Sequence, residues 1–204
     1  MSRSITLAAI LAFCFVLQAR AGTFNKTLSI GDAAPDWKSL EGTDGKKHSM
    51  ADFADKDVLV ICFTCNTCPY AVDYEDRLIG LVKKFAAEGN RCALIAINAN
   101  KVKDDLLPAM QERAKAKGFN FPYLHDETQQ VARSYGATFT PEFVVLNKDR
   151  NVVYLGRMDD SPDGKNVTQR YLDDAIAAAL AGKLPMTTET LAVGCLVRYV
   201  RERK

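Results

Sequence analysis

The fold of this chain is most constrained by a continuous apolar run that leads directly into a closely spaced pair of cysteines. Residues 58–63 are Val-Leu-Val-Ile-Cys-Phe, a run rich in β-branched side chains that is typical of a strand buried on both faces of a parallel sheet. Cys65 and Cys68 come next, followed by Pro69 and by apolar residues that recur at three- and four-residue steps as far as Phe85. This order predicts a buried strand, a short loop that carries two thiols, and an amphipathic helix with proline in its first turn.

The rest of the chain continues this alternation of apolar runs and helical patterns. A second buried strand is predicted at 93–97, and a hairpin is predicted where a turn at 147–151 separates two apolar runs. The other predicted elements are helices at 104–117, at 128–135 and from Asn166 or Thr168 to 180, and extended pieces at 121–124, 143–146 and 152–155. Strand, helix and strand in the first half require parallel strands with helices on both faces, and the hairpin adds antiparallel pairing. The sequence therefore predicts an α/β fold, a three-layer α/β/α sandwich around a mixed sheet.

The first 21 residues have the features of a secretory signal peptide. Arg3 supplies a positive start, Ile5 to Leu17 form an apolar run, and Ala19-Arg20-Ala21 fits a cleavage site. The alternative is an uncleaved membrane anchor, but the run is shorter than the about 20 apolar residues that span a bilayer. We therefore expect an exported protein, periplasmic or extracellular, with no stable membrane insertion after cleavage. The remaining chain is expected to divide into an N-terminal extension with short strands at 22–57, a core at 58–182 and a C-terminal tail at 183–204.

Charge and cysteine content narrow the classes of function. The predicted cleavage removes Arg3 and Arg20 but no acidic residue, so basic and acidic residues become equal in number. This balance argues against nucleic acid as a partner, and the few basic residues near the C-terminus suit a solvated tail. Five cysteines remain once the signal is removed: Cys62, Cys65, Cys68, Cys92 and Cys195. An odd number in an oxidising compartment leaves at least one thiol unpaired, which favours a working redox pair over a purely structural set of disulfides.

The position of Cys65 and Cys68 between a strand and a helix suggests their chemistry. The amino end of a helix presents free N–H groups and the positive end of its dipole, which lower the pKa of a cysteine and stabilise the thiolate that attacks disulfides. We expect Cys65 to be the exposed attacking thiol, and Cys68, one turn inside the helix, to resolve the mixed disulfide.

Two other interpretations of these cysteines were open from the sequence. Together with Cys62 they resemble part of an iron–sulfur ligand run, but Val72 stands where the fourth cysteine would be. A purely structural disulfide between Cys65 and Cys68 would close a loop too small to stabilise the fold much.

Thr140 and Pro141 stand shortly before the predicted strand at 143–146. Proline cannot sit in the middle of a ladder of strand hydrogen bonds, so it marks a tight entry into the strand. A cis peptide bond is the usual solution there, and an ordinary trans turn is the alternative.

Several segments together resemble the thioredoxin-like redoxin family, the alkyl hydroperoxide reductase and thiol-specific antioxidant group. They are residues 63–70 (Phe-Thr-Cys-Asn-Thr-Cys-Pro-Tyr), 121–126, 135–141, the lead-in 30–35, 154–160 and the late Gly194-Cys195. The branch that looks most similar carries a Cys-Asn-x-Cys-Pro motif. The resemblance implies a thioredoxin-like fold, with Cys65 as nucleophile and Cys68 as resolving cysteine. It also implies a cis Pro141 beside them, with Thr140 offering its backbone to an extended substrate.

Two departures from the wider family bear on the mechanism. Peroxiredoxins carry Pro-x3-Thr-x2-Cys around the peroxidatic residue, and counting back from either cysteine of the pair does not give that pattern. Thioredoxins carry a buried aspartate in the strand before the pair, whereas Cys62 stands there. The proton acceptor for Cys68 is therefore unassigned, and Glu142, next to Pro141, is the candidate.

The sequence thus predicts an oxidoreductase that exchanges dithiol and disulfide between its Cys65/Cys68 pair and protein thiols or disulfides, including a redox partner protein, without a cofactor. The first alternative is a thiol-dependent peroxidase. The second is a copper-binding module, although copper sites on this fold use a three-residue spacing between cysteines, and His48 and His125 are the only histidines. Cys195 is either a third redox thiol or an inert cysteine, and Cys92 is expected in the core.

Overall fold

The computed structural model describes residues 22–201. The predicted signal peptide at 1–21 lies outside the described residues, as do residues 202–204. The strands of the described part are Leu40–Gly42 (β1), Lys47–His48 (β2), Val58–Phe63 (β3), Cys92–Asn98 (β4), Tyr123–His125 (β5), Phe139–Thr140 (β6), Glu142–Leu146 (β7), Val152–Gly156 (β8) and Cys195–Leu196 (β9). Its α-helices are Pro69–Ala87 (α1), Leu107–Lys117 (α2), Gln130–Ser134 (α3) and Tyr171–Leu180 (α4). Among residues 22–201, no helix combines the length and the apolar character needed to cross a membrane.

Seven of the strands form one mixed sheet in the order β2-β1-β5-β4-β3-β7-β8. The central strands β3, β4 and β5 run parallel to one another. Antiparallel pairing adds β7 and β8 on one side, and β1 and β2 on the other. The two short strands left over, β6 and β9, pair with each other in antiparallel register. This mixed sheet confirms the predicted α/β fold.

Strand β3 has the two buried faces that its apolar sequence predicts. Val58, Val60 and Cys62 face a core that also contains residues of α1, α2 and α4. The alternate residues of β3 face a second core, which includes residues of α3, the N-terminal segment and Val197 near the C-terminus. Because successive side chains of a strand point to opposite faces, one strand contributes equally to both cores and holds the three layers together.

Three helices begin later than the sequence predicts, and one of them is α3, which begins at Gln130 rather than at residue 128. The helix expected from Asp104 is divided: a 3₁₀ turn ends at Asp105, and α2 begins at Leu107. Pro108 explains the break, because proline is tolerated in the first turn of a helix but not in its interior. The last helix, expected from Asn166 or Thr168, begins at Tyr171.

The C-terminal tail is an ordered part of the fold rather than a solvated extension. The backbone N–H of Leu155, in β8, donates to the carbonyl of Thr188 at 3.0 Å, and the N–H of Thr190 donates back to the carbonyl of Leu155 at 3.0 Å. Further along, β9 pairs with β6 so that Cys195 lies opposite Thr140. The tail therefore follows the edge of the sheet and passes beside the Thr140-Pro141 turn.

The burial of β3 leads to a stability prediction. Leu59 is 0% exposed in the central strand, whereas Leu184 in the tail is 58% exposed. We expect Leu59→Ala to lower the free energy of unfolding by about 2–5 kcal/mol, because it removes buried methyl groups and leaves a cavity. The matched variant Leu184→Ala should change it by less than about 0.5 kcal/mol. Urea denaturation measures both, and equal losses in the two variants would contradict the placement of β3 at the centre.

Candidate functional site

Cys65 and Cys68 lie in the loop between β3 and α1, where the sequence predicts them. Helix α1 begins at Pro69, and Cys68 is its N-cap residue, with extended backbone. The prediction that Cys68 lies one turn inside the helix is therefore wrong. The loop does not continue the helix because the backbone N–H groups of Asn66 and Thr67 bond to a carboxylate of another element.

Both sulfurs of the pair are closed off from solvent. Cys65 is 3% exposed and Cys68 is 1% exposed. Together with Ala71 they form a small cluster, and Cys195 packs against it. The predicted exposure of Cys65 is therefore wrong, and the cause is the C-terminal tail, since β9 brings Cys195 against the pair.

Thr140 contacts both cysteines. Its peptide bond to Pro141 is cis, the first of the two alternatives that the sequence left open. The Thr140 hydroxyl oxygen lies 3.3 Å from Cys65 Sγ, and the Cys68 thiol donates a hydrogen bond to the Thr140 carbonyl at 3.0 Å. The backbone of Thr140 is also paired with Cys195, so the strand edge expected to receive a substrate is occupied by the chain itself.

A buried carboxylate that the sequence analysis missed fixes the shape of the cysteine loop. Asp105 is fully buried and accepts hydrogen bonds from the backbone N–H groups of Asn66 (2.7 Å) and Thr67 (3.2 Å). It also accepts from the Thr67 hydroxyl (2.7 Å) and the Asn100 amide (3.0 Å). A carboxyl group at this depth is tolerated because hydrogen-bond donors surround it. Thr67 Oγ1 in turn lies 3.9 Å from Cys65 Sγ, so a single hydroxyl links Asp105 to the pair.

The sequence did contain a signal for this network. Asn98, Asn100 and Asp105 follow or end β4, at the same edge of the sheet where the parallel strand β3 ends, and ligand-contacting residues of α/β sheets collect at that edge. Asn98 also donates to the Tyr123 hydroxyl at 3.0 Å, and that hydroxyl donates to Asn66 Oδ1 at 2.9 Å. The cysteine loop is thus held from two sides.

The two cysteines of the pair shift each other's pKa in opposite directions. Their mutual hydrogen bond lowers the pKa of Cys68 to about 5, against the effect of burial, and the Cys195 side chain and the Ala71 backbone N–H lower it further. The same hydrogen bond, followed by burial, raises the pKa of Cys65. Since Cys68 also stands at the amino end of α1, where the helix dipole favours negative charge, Cys68 is the thiol of the pair that ionises first, and its ionisation breaks the hydrogen bond that it donates to the Thr140 carbonyl. This order differs from the prediction that Cys65 is the attacking thiolate.

Glu142 lies on the wrong side of the sheet to take a proton from Cys68. It pairs with Phe63 across β7 and β3, and Phe63 faces the core opposite α1. Its Oε2 accepts hydrogen bonds from the backbone N–H groups of Thr138 (2.7 Å) and Phe139 (3.0 Å). Burial raises the pKa of Glu142, and these two bonds partly offset that rise. The geometry therefore gives Glu142 the task of holding β6 in place, and the predicted role as proton acceptor finds no support.

The remaining cysteines and the histidines form no second site in the described residues. Cys62 and Cys92 are buried in the core that contains α1, which confirms the prediction for Cys92. Burial raises the pKa of Cys62 and brings that of Cys92 to about 11. Between residues 22 and 201, no group of three or more His, Cys, Asp or Glu is arranged to hold a metal ion. The iron–sulfur and copper alternatives therefore gain no support.

Comparison with known families and structures places most of the chain in one group. The profile of the Redoxin family matches residues 29–174, which is more than half of the sequence. No curated protein matches the chain.

Solved structures show the same architecture. A hypothetical protein from Sinorhizobium meliloti 1021 is 33% identical with a TM-score of 0.80, and the match covers 89% of this chain and 100% of that protein. An uncharacterized conserved protein from Geobacillus kaustophilus is 30% identical with a TM-score of 0.79, covering 88% and 96%. A peroxidoxin from Mycobacterium tuberculosis is 21% identical with a TM-score of 0.58, covering 74% and 96%, and shares the fold.

The low pKa of Cys68 leads to a titration experiment. A lowered pKa means that the thiolate persists above about pH 5 and is protonated below it. We expect the ultraviolet absorbance of thiolate in the reduced protein to rise in a first step at about pH 5. The step should disappear in Cys68→Ala and remain in Cys92→Ala, because burial raises the pKa of Cys92 to about 11. A first step near pH 9, the ordinary value, would contradict the assignment.

The network around Asp105 leads to a second experiment. We expect Asp105→Asn to lower the free energy of unfolding by about 1–3 kcal/mol, because an amide nitrogen cannot accept from Thr67 or Asn100 and leaves buried donors unpaired. Asp104→Asn is the matched control, since the Asp104 side chain is exposed. It should change stability by less than about 0.5 kcal/mol. If urea denaturation gives the two variants the same stability, Asp105 does not hold the loop.

Proposed function

The chain belongs to the Redoxin family, and from that premise we propose that it is a thiol–disulfide oxidoreductase whose Cys65 and Cys68 exchange dithiol for disulfide with partner proteins. The observation that carries the proposal is that both thiols lie in one small buried cluster at the amino end of α1 and both contact Thr140, Cys65 at its hydroxyl and Cys68 at its carbonyl. Such a pair can close to a disulfide and supply two electrons without moving the backbone far.

The reaction balances within the pair and its substrate. A partner disulfide is reduced to two thiols, while the thiols of Cys65 and Cys68 are oxidised to one disulfide and their two protons pass to the released thiols. Each step is the attack of a thiolate on a disulfide sulfur, so the same sequence runs in reverse when the partner is a dithiol. The relative reduction potentials of the protein and its partner set the direction.

The surroundings of the pair support exchange through an ordered sequence of sulfurs. The low pKa of Cys68 makes it both a thiolate at neutral pH and a good leaving group. Asp105 keeps the loop between the cysteines in one shape through the backbone of Asn66 and Thr67. A fixed loop keeps the two cysteines within one small buried cluster, and disulfide closure requires such closeness.

We further propose that residues 1–21 direct export, so that the protein works in the periplasm or outside the cell. The support is the order of a positive residue, an apolar run and an Ala-x-Ala site in the sequence. Disulfide exchange between proteins suits such an oxidising compartment.

Reduction of insulin disulfides tests the proposed exchange. We expect Cys65→Ser and Cys68→Ser each to lower the rate strongly, because neither variant can form the Cys65–Cys68 disulfide that completes the reaction. Cys92→Ser, which changes a cysteine outside the site, should retain the rate of the unchanged protein. Full activity in either site variant would refute the proposal.

The peroxidase alternative is separated by a second measurement. Stopped-flow mixing of the reduced protein with hydrogen peroxide should give a rate close to that of free cysteine, because both sulfurs of the pair are shielded from solvent. A much faster reaction, together with insulin activity at background, would favour the peroxidase.

A further inference from the structure

The tail holds Cys195 against the pair from both directions along the chain. Before Cys195, Thr188 and Thr190 are hydrogen-bonded to the backbone of Leu155. After it, the backbone N–H of Val197 donates to the Thr138 carbonyl at 2.9 Å, and that of Arg198 donates to Asn100 Oδ1 at 2.8 Å. Since the chain is fixed on both sides, the position of Cys195 does not depend on its own side chain.

Tight backbone contact brings the segment close to the site. A Cβ atom on Gly194 would lie 2.1 Å from the Thr140 carbonyl oxygen and 2.6 Å from the carbonyl carbon. No side chain fits there, so glycine is required for the tail to approach the Thr140-Pro141 turn. The next residue, Cys195, pairs with Thr140, and its carbonyl accepts a hydrogen bond from the Thr140 hydroxyl at 3.4 Å.

The sulfurs of the site differ in their access to solvent. Cys65 and Cys68 are almost completely buried, whereas Cys195 is partly exposed. Cys195 also packs against the cluster that Cys65 and Cys68 form with Ala71. A molecule in solution therefore meets Cys195 before it reaches the buried pair.

Resting on the proposed function, we propose that Cys195 is the third redox-active thiol of this site, the one that reacts with the external disulfide or thiol and passes electrons to or from the buried pair through Cys68.

The relay consists of three thiolate attacks. The Cys195 thiolate attacks an external disulfide, forms a mixed disulfide and releases the first external thiolate. The Cys68 thiolate then attacks the Cys195 sulfur, forms a Cys68–Cys195 disulfide and releases the second external thiolate. Finally the Cys65 thiolate attacks the Cys68 sulfur, forms the Cys65–Cys68 disulfide and returns Cys195 as a thiolate. The protons lost by Cys65 and Cys68 end on the two external thiols, so two electrons leave the pair and one external disulfide is reduced.

The acid–base properties of these sulfurs favour one step of the relay when it runs in reverse, the release of Cys68 from the Cys68–Cys195 disulfide. Burial and the hydrogen bond to Cys68 raise the pKa of Cys195 to about 11, so Cys68 is the better leaving group of the Cys68–Cys195 disulfide. When the relay runs in reverse, an external thiolate attacks the partly exposed Cys195 sulfur and Cys68 departs as the stable thiolate.

The rate of pair oxidation tests the relay. The reduced protein is mixed with glutathione disulfide, quenched in acid and alkylated, and the Cys65–Cys68 disulfide is followed by mass spectrometry. We expect Cys195→Ala to slow its formation by about tenfold or more, because the reagent must then reach a buried sulfur. Cys92→Ala should keep the original rate. An unchanged or faster rate in Cys195→Ala would overturn the relay, and the faster rate is what a tail that only covers the pair would give.

A trapped intermediate identifies the first sulfur to react. In Cys68→Ala the relay stops after its first step, so the glutathione adduct should be found on Cys195. An adduct on Cys65 with Cys195 still a free thiol would overturn the relay and leave the exchange by Cys65 and Cys68 intact.

Displacement of the tail gives an independent control. Gly194→Val should push β9 away from Thr140 and slow oxidation by glutathione disulfide as Cys195→Ala does, whereas a tail acting only as a cover predicts faster oxidation. Circular dichroism checks that the variant is folded. The proposed function itself fails only if Cys65→Ser or Cys68→Ser retains insulin reduction, so the two failures are distinguishable.

Discussion

The site depends on the contacts that one residue, Thr140, makes in three directions. Its hydroxyl lies against Cys65, its carbonyl accepts a hydrogen bond from the Cys68 thiol, and its backbone pairs with that of Cys195. These contacts bring together three sulfurs from two segments that are far apart in the sequence. Glu142 supports them from the opposite face by binding the backbone N–H groups of the preceding residues. The arrangement is therefore a property of the tertiary structure and not of the cysteine loop alone.

Local sequence was sufficient to predict the centre of the fold. The apolar run at 58–63 is a strand whose bounds match the structure, because a strand buried on both faces needs no partner information to be recognised. The pair of cysteines and the proline after them also fall where the pattern placed them. These features depend only on residues close together in the sequence, so a local pattern is enough to predict them.

Features that depend on distant contacts were not predictable in the same way. The burial of Cys65 results from contact with Cys195, which lies 130 residues later in the C-terminal tail. The sequence of the tail has neither strand nor helix periodicity, so its position could not be predicted. The pattern at 104–117 predicts one helix that includes Asp105, whereas Pro108 lies in the first turn of α2 and Asp105 ends the 3₁₀ turn before it. Glu142 is next to Pro141 in the sequence, but successive side chains of a strand point to opposite faces, so this closeness does not bring its carboxyl group to Cys68.

The burial of Cys68 beneath the C-terminal tail affects how easily the protein is damaged by oxidation. A sulfur that ionises readily is also the one most easily converted to sulfinic or sulfonic acid, and susceptibility follows thiolate character and access together. Here the two properties are assigned to different atoms: Cys68 has the low pKa and almost no exposed surface, while Cys195 has the surface and a raised pKa. Separating them protects the readily ionised sulfur from irreversible oxidation.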